Sequence, residues 1–391
     1  MITPVNSLSR STLGAVASLT LAMLAHTTPA QTWQTVDAIQ YVAGQAAVNF
    51  GLTVAPSGTV FACGYASDGS VFHGLVIASA DGGNTWSAPL DDFVYPGSNT
   101  RYDGGIVADS AGNLYVTGRY YFSSGPFYRF VRRSTDGGAT WSIVDTVALS
   151  NYALPIAASA ITADAAGSVY VTEPSGTWVV RKGIGGTSFA TVDTFQPSAS
   201  QANAVFAHPT AGIFAAGYGQ VVVNKFGGTA SAWLVRRSLD AGATWSTVDA
   251  YASGMAAYGI GADGNGNLYA IGNANLPSKG KNGGSYWVVR KSADGGATWT
   301  TVDTYQLLTT GTQRALGFAS DSLGNLYVAG EALASGGVGP NYWIVRENPG
   351  GTGSWITVDT VTNSIPHAIA ADGLGNVFVG GQNPGWIVRR N

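Results

Sequence analysis

The sequence has few of the residue types on which disulfide-rich, metal-binding or acid–base sites depend. It contains one cysteine, three methionines and four histidines among 391 residues. The single cysteine, Cys63, cannot form an internal disulfide, so packing and chain closure must stabilise the fold. Charged residues are only 10% of the chain and the formal net charge is −3, which gives no reason to expect a nucleic-acid partner or an anionic membrane.

Long apolar runs are also scarce. The exception is "TLGAVASLTLAMLA", residues 12–25, which follows Arg10 and precedes the small-residue stretch "HTTPA". A positive charge, a short apolar run and then small residues is the order of a secretion signal, and the run is too short for a comfortable membrane span. We therefore predict a signal peptide over residues 1–30 and a single exported domain over residues 31–391. The protein would be secreted, periplasmic or at the cell surface.

The sequence is rich in glycine, with 54 residues, and it repeats. A fragment like Thr-Val-Asp recurs at Thr35, near Pro89, and at Ile143, Thr191, Thr247, Thr301 and Thr357. The spacing of about 54 residues falls in the range of propeller blades and long solenoid repeats. Each unit contains four strand-like runs, separated by turns rich in Gly, Asp and Asn, which tight turns favour.

The two ends of the chain carry complementary parts of one unit. The last unit supplies three strands and ends at "GWIVRRN", whereas "QTWQTVDAI" after the signal is a fourth strand without a unit. Pairing them predicts an all-β fold: a seven-bladed β-propeller of four-stranded antiparallel blades, closed by the N-terminal strand. A closed ring has no free strand edge, so we expect a monomer.

Charged residues recur at two strand positions. The third strands carry Arg132, Arg181, Arg236, Arg290, Arg346 and Arg389, and the fourth strands carry Asp145, Asp193, Asp249, Asp303, Asp359 and, at the N-terminus, Asp37. The first blade has Ile77 and Leu90 at the aligned places. Because both charges are missing from the same blade, we expect each Arg to pair with the Asp of its own blade, including Arg389 with Asp37.

Four turns between third and fourth strands share a motif. They read "SADGGNTW" at 79–86, "STDGGATW" at 134–141, "SLDAGATW" at 238–245 and "SADGGATW" at 292–299. The motif resembles the Asp-box, or BNR, repeat of sialidases, sortilin-like receptors, xyloglucanases and photosystem assembly factors. This resemblance covers nearly all of the chain after residue 30. It implies a sialidase-like β-propeller whose turn aspartates are structural and lie opposite the ligand face.

The shorter turns between first and second strands also carry aspartates. We predict that they cap their own backbone, because these loops are too short to surround a calcium ion, and we expect no metal and no cofactor. These aspartates are Asp109, Asp164, Asp263, Asp321 and Asp372.

Candidate site residues are those that the repeat does not explain. They lie on the face with long, irregular loops, where binding residues usually occur. The candidates for ligand binding are Tyr65, Arg101, Arg119, Tyr218, Asn273, Arg314, Glu331 and Gln382. Asp103, Asn203, Tyr258 and His367 extend this polar ring around the channel mouth. The candidates for catalysis are Asp103, Glu173 and Glu331.

The sequence favours a secreted binding or scaffold propeller with a glycan or protein ligand on the variable-loop face. The alternative is a sialidase-like glycoside hydrolase, or a polysaccharide lyase, acting on extracellular glycans. The resemblance implies three arginines for a substrate carboxylate, a Tyr–Glu nucleophile and an Asp acid, and these residue types occur among the candidates. The chain departs from sialidases in its seven predicted blades and in lacking an Arg-Ile-Pro segment.

Overall fold

The chain folds into small antiparallel sheets that follow one another along the sequence. The computed structural model describes residues 32–149, 160–173, 176–195, 199–222, 228–276, 284–337 and 339–391. The predicted signal peptide lies outside these residues. Trp33–Asn391 is one compact unit of seven sheets, which confirms the predicted seven-bladed all-β propeller. Within the described ranges, no helix has the length and apolar character that a membrane span needs.

Strands β1 to β29 supply four strands to six blades and five to blade 2. Blade 1 comprises β2 (Ala47–Val54), β3 (Val60–Ser67), β4 (Phe72–Ser79) and β5 (Asp91–Phe93). Blade 2 comprises β6 (Asn99–Arg101), β7 (Ile106–Ala108), β8 (Leu114–Tyr121), β9 (Phe127–Ser134) and β10 (Ser142–Leu149). Blade 3 comprises β11 (Ile161–Ala163), β12 (Val169–Thr172), β13 (Trp178–Ile184) and β14 (Thr187–Phe195).

Blade 4 comprises β15 (Gln201–His208), β16 (Gly212–Val222), β17 (Thr229–Ser238) and β18 (Ser246–Tyr251). Blade 5 comprises β19 (Gly254–Ala262), β20 (Leu268–Leu276), β21 (Gly284–Ser292) and β22 (Thr300–Tyr305). Blade 6 comprises β23 (Thr312–Ser320), β24 (Leu326–Leu333), β25 (Tyr342–Asn348) and β26 (Ile356–Thr362). Short 3-10 turns occur at Ser335–Gly337 and Pro349–Gly351. Blade 7 comprises β27 (Ile365–Ala371), β28 (Val377–Asn383), β29 (Gly385–Arg390) and β1 (Gln34–Ile39).

The ring closes as the sequence predicts. Strand β1 pairs antiparallel with β29, from Gln34 opposite Arg390 to Ile39 opposite Trp386. Strand β1 thereby becomes the outermost strand of the last blade, and the edge of β29 is covered. Closure matters because an unpaired strand edge exposes a row of backbone donors and acceptors.

Blades pack through large rings that lie against glycine. Third-strand tryptophans are at most 1% exposed, and in four interfaces the ring contacts a glycine of the next blade. A Cβ added at Gly217, for example, would lie 3.0 Å from the Trp178 ring and 1.9 Å from the Gln201 carbonyl oxygen. Any larger residue would push the blades apart. The four contacts are Trp178–Gly217, Trp233–Gly272, Trp343–Gly381 and Trp386–Gly64.

The repeated Arg–Asp pairs connect neighbouring blades, so the expectation of pairs within a blade is wrong. Arg290 Nε and Nη2 donate to both carboxylate oxygens of Asp249, in the preceding blade, at 2.7 and 2.8 Å. A β-bulge beside each Arg displaces the Asp of its own blade from the opposite position. The pairs are Arg132–Asp91, Arg181–Asp145, Arg236–Asp193, Arg290–Asp249, Arg346–Asp303 and Arg389–Asp359.

The interface between blades 7 and 1 is the exception. Blade 1 contributes Asp91 to the ring of pairs after all, but it has Ile77 where the other blades have Arg. Asp37 therefore has no ion pair among the described residues and accepts a hydrogen bond from Trp386 Nε1 at 3.0 Å. Among the described residues, the interface between blades 7 and 1 thus lacks the ion pair found at the other six interfaces.

This difference predicts unequal costs for one substitution at two equivalent positions. Asp249→Ala leaves Arg290 buried and unpaired, so we expect it to lower the free energy of unfolding by about 3–5 kcal/mol. Asp37→Ala removes only the tryptophan hydrogen bond and should cost about 1 kcal/mol. Urea unfolding of both variants measures the difference. Equal losses would mean that the ion pairs do not hold the blades together.

Candidate functional site

Bulges in the innermost strands turn side chains toward the central channel. The register of β2 against β3 skips Phe50, and the same irregularity occurs in four further blades. A bulge inserts one unpaired residue and re-aims its side chain. The skipped residues are Phe50, Asn203, Tyr258, Leu316 and His367. In blade 2 the innermost strand is instead divided into β6 and β7, and Asp103 lies in the break.

These residues line a cavity of about 500 Å³ to which all seven innermost strands contribute. That volume lies within the range of small-molecule sites, roughly 300–1,000 Å³. Its polar wall contains Asp103, Arg119, Arg129, Asn203, Tyr258, Arg314, Glu331 and His367. The remaining wall is apolar and includes Phe50, Leu52, Ile106, Phe127, Ile260 and Phe318.

The structure brings together only part of the predicted site. Four of the candidates from the sequence, Asp103, Arg119, Arg314 and Glu331, line the cavity. Tyr258, His367 and Asn203 line it as well, whereas Arg129 and Phe50 were not predicted. The candidates that are not part of this wall are Tyr65, Arg101, Glu173, Tyr218, Asn273 and Gln382.

An ion pair forms the blade 6 side of the cavity. Arg314 and Glu331 lie opposite each other on β23 and β24, and Arg314 Nη2 is 2.5 Å from Glu331 Oε1. Glu331 is only 3% exposed, and this burial raises its pKa although the Arg314 charge opposes the shift. Burial and the nearby Arg314 charge lower the pKa of His367 to about 4, so its imidazole is neutral near pH 7.

A second charged group forms the blade 2 side. Arg119 forms an ion pair with Asp103, and burial raises the pKa of Asp103 against the charges of Arg119, Arg101 and Arg129. Arg129 is 4% exposed, and its Nη1 donates to the Thr172 carbonyl of blade 3 at 2.7 Å. Burial lowers the pKa of Arg129 to about 10, so the side chain remains charged near pH 7.

Arg129 and Glu173 replace one of the repeated Trp–Gly contacts. Arg129 precedes the repeat arginine of blade 2 by three residues, where five other blades have the buried tryptophan. Glu173 occupies the aligned glycine position of blade 3, by its register against β13. Among the charges near Arg129, Glu173 has the largest effect on its pKa, and Arg181 Nε lies 3.2 Å from Glu173 Oε1. Glu173 thus lies at the interface between blades 2 and 3, where it pairs with Arg181 and is close to the charge of Arg129.

The turn aspartates lie on the opposite face and cap their own backbone, as predicted. In the turn at 79–86, Asp81 accepts hydrogen bonds from the Thr85 amide and hydroxyl at 2.9 and 2.6 Å. The turns at 134–141, 238–245 and 292–299 have the same bonds. These bonds lower the pKa of Asp81 to about 2. The shorter turns are capped similarly, as Asp109 illustrates by accepting from the Ala111 and Asn113 amides.

The paired departure at Arg129 and Glu173 can be tested by restoring the repeat. Arg129→Trp alone places a large ring against Glu173, and Glu173→Gly alone removes an acid beside a buried arginine, so each should destabilise the protein. We expect the double variant to recover part of the loss, with a coupling free energy of about 1–3 kcal/mol. Chemical denaturation of the four proteins in this cycle gives the coupling. Additive losses would show that the two positions do not compensate each other.

Comparison with known proteins informs the fold but not the chemistry. No model of a known protein family matches the chain, and no curated protein matches it either. Among solved structures, YCF48 bound to D1 peptide is 17% identical, with a TM-score of 0.53 over 93% of this chain and 97% of that one.

Two further structures have comparable similarity. An α-L-arabinofuranosidase from Fusarium graminearum, in complex with an iminosugar inhibitor, is 11% identical with a TM-score of 0.51, over 91% of this chain and 94% of that one. A putative 6-phosphogluconolactonase from Bacteroides uniformis is 14% identical with a TM-score of 0.51, over 88% and 94%. At such identities the likeness shows the fold alone.

Proposed function

We propose that this propeller is an exported binding or scaffold domain whose ligand, a glycan or a protein, docks on the variable-loop face at the channel mouth. The observation that carries the proposal is the pairing of the cavity carboxylates. Asp103 is paired with Arg119 and Glu331 with Arg314. Each carboxylate is therefore held as a charge partner, whereas general acid–base catalysis needs one that can exchange a proton with the substrate.

The rest of the mouth supports binding. The lining of the cavity combines charged and polar side chains from several blades with apolar side chains that come mostly from the innermost strands. Pockets that bind ligands commonly combine such apolar walls with a few placed polar groups. The fold resemblance to YCF48, whose structure contains a bound peptide, agrees with a peptide-binding propeller.

A glycoside hydrolase remains the alternative, and one observation favours it. Burial raises the pKa of Asp103, Glu173 and Glu331, as a catalytic acid requires. A retaining or inverting hydrolase would also need two carboxyl groups facing one glycosidic bond, and Asp103 and Glu331 belong to different ion pairs in blades 2 and 6.

Parallel incubation of the purified protein on a glycan array and a peptide array distinguishes these functions. We expect retention without loss of the printed sugars, and we expect Arg119→Ala to weaken it about tenfold because a charged contact at the mouth is lost. Lys291→Ala is the control, because it also removes a positive charge but lies where β21 enters the turn at 292–299, on the face opposite the channel mouth. This variant should bind normally. Removal of terminal sugars would instead identify a hydrolase, and an absence of retention on both arrays would contradict the proposal.

A further inference from the structure

Arg101 differs from the other arginines at the channel mouth. It ends β6, opposite Arg119 on β8. Arg119 and Arg314 each pair with an acid, but no carboxylate of the described residues lies within ion-pair distance of Arg101. Its Nε is buried without a hydrogen-bond partner within the described part of the chain. Within the described part of the chain, Arg101 is therefore a charged side chain at the mouth that forms no ion pair and whose Nε donates no hydrogen bond.

Aromatic rings hold this guanidinium in position. Its central carbon lies 3.8 Å from the centre of the Phe72 ring, 4.7 Å from that of Tyr65 and 5.6 Å from that of Tyr121. Such cation–π contacts fix the plane of the guanidinium, and because its Nε is buried, only the edge with the two terminal nitrogens can face a ligand. Arg101 is therefore oriented before any ligand arrives.

The three rings belong to a longer row, which we call the aromatic arc. Tyr65 stacks on Phe50 with centroids 5.8 Å apart, and Phe50 stacks on His367 at 4.3 Å. At the other end, Tyr121 stacks on Phe127 at 5.0 Å. All of these rings are half-buried, and the row crosses blades 7, 1 and 2 beside the cavity. The arc consists of His367, Phe50, Tyr65, Phe72, Tyr121 and Phe127.

The composition and geometry favour a protein ligand over a glycan. Tyrosine and arginine are enriched among the residues that dominate protein–protein binding energies. A sugar ring packs flat on an aromatic face, so it needs that face to be free. Here Tyr65 has Phe50 and Arg101 against it, and Tyr121 has Phe127 and Arg101. Tyr65 also meets Phe72 edge to face, so the surface left at these rings suits a small apolar side chain better than a flat sugar ring.

We propose that Arg101 and the aromatic arc bind a segment of a partner protein in which an aspartate or glutamate lies next to an apolar side chain. The carboxylate accepts two hydrogen bonds from the edge of the Arg101 guanidinium, and the apolar side chain packs against the rings of the arc. This inference rests on the proposed binding function and specifies the ligand of the same face.

The experiment uses an array of synthetic peptides that combine Asp, Glu, Asn or Gln with a neighbouring Leu, Phe or Ser. We expect the protein to retain acidic peptides with an apolar neighbour, about tenfold more strongly than their amide counterparts. Arg101→Gln should abolish this preference. Arg101→Lys keeps the charge but loses the planar fork, so it should bind about tenfold more weakly than the wild type.

Two controls separate binding from folding. Arg101 has no ion pair to lose, so Arg101→Lys, which keeps a cation beside the rings, should keep the melting temperature of the wild type, and Arg101→Gln should lower it only slightly through loss of the cation–π contacts. Lys291→Gln, a charge change on the opposite face, should leave peptide retention unchanged.

The outcomes also separate this inference from the broader proposal. Retention that depends on Arg119 but not on Arg101 would overturn the inference and leave the binding function standing. Retention confined to acidic glycans and lost in Arg101→Gln would overturn it in favour of a carbohydrate ligand. An absence of protein retention on both the peptide and the glycan arrays would overturn both proposals.

Discussion

Contact between neighbouring blades is the interaction on which the rest of this structure depends. A single repeat unit cannot bury its hydrophobic faces alone, so each blade needs a neighbour on both faces. The chain meets this need with a tryptophan that packs on the next blade's glycine and an arginine that pairs with the preceding blade's aspartate. Both contacts link different units, so a change in one blade has its consequence in another.

The same contacts show where the chain departs from its own repeat. The departures from the repeat concentrate on blades 1 to 3: Gly74 and Arg129 stand where other blades have tryptophan, and Glu173 stands where they have glycine. The ring of Tyr102 fills the space that Gly74 leaves, because a Cβ there would approach it to 3.1 Å. Blades 4 to 7 keep the tryptophan and the glycine at these positions, and they contribute to the cavity through Asn203, Tyr258, Arg314, Glu331 and His367.

The fold could be predicted from the sequence because the repeat is long, regular and incomplete at both ends. The direction of the Arg–Asp pairs could not, since every unit contains both residues and alignment alone does not say whether a pair lies within a blade or between blades. Asp91 would have indicated pairing between blades, because its own blade has no Arg and it pairs with Arg132 of blade 2. In the sequence, however, Asp91 is shifted by one residue from the place where the repeat has Asp.

The site was predicted in part for a similar reason. Arg119, Arg314 and Glu331 stood out as charges at positions where most blades have none. Arg129 was missed because it lies in a run with Arg132 and Arg133, although its place in the tryptophan register was a usable signal. The aromatic arc could not be predicted, because His367, Phe50 and Tyr121 come from blades 7, 1 and 2, and His367 reaches Phe50 only when the ring closes.

Closure by β1 also determines the order in which the chain can fold. Asp37 and Trp386, which bond across the seam, are 349 residues apart in sequence. During synthesis β1 is among the first strands made, yet its partner β29 is the last. Strand β1 therefore stays unpaired until nearly the whole chain has been synthesised. Contacts between residues so distant in sequence make folding slow. Half of the residues of β1, QTVDAI, are exposed in the finished ring and none is fully buried, so the unpaired strand offers little apolar surface to other chains.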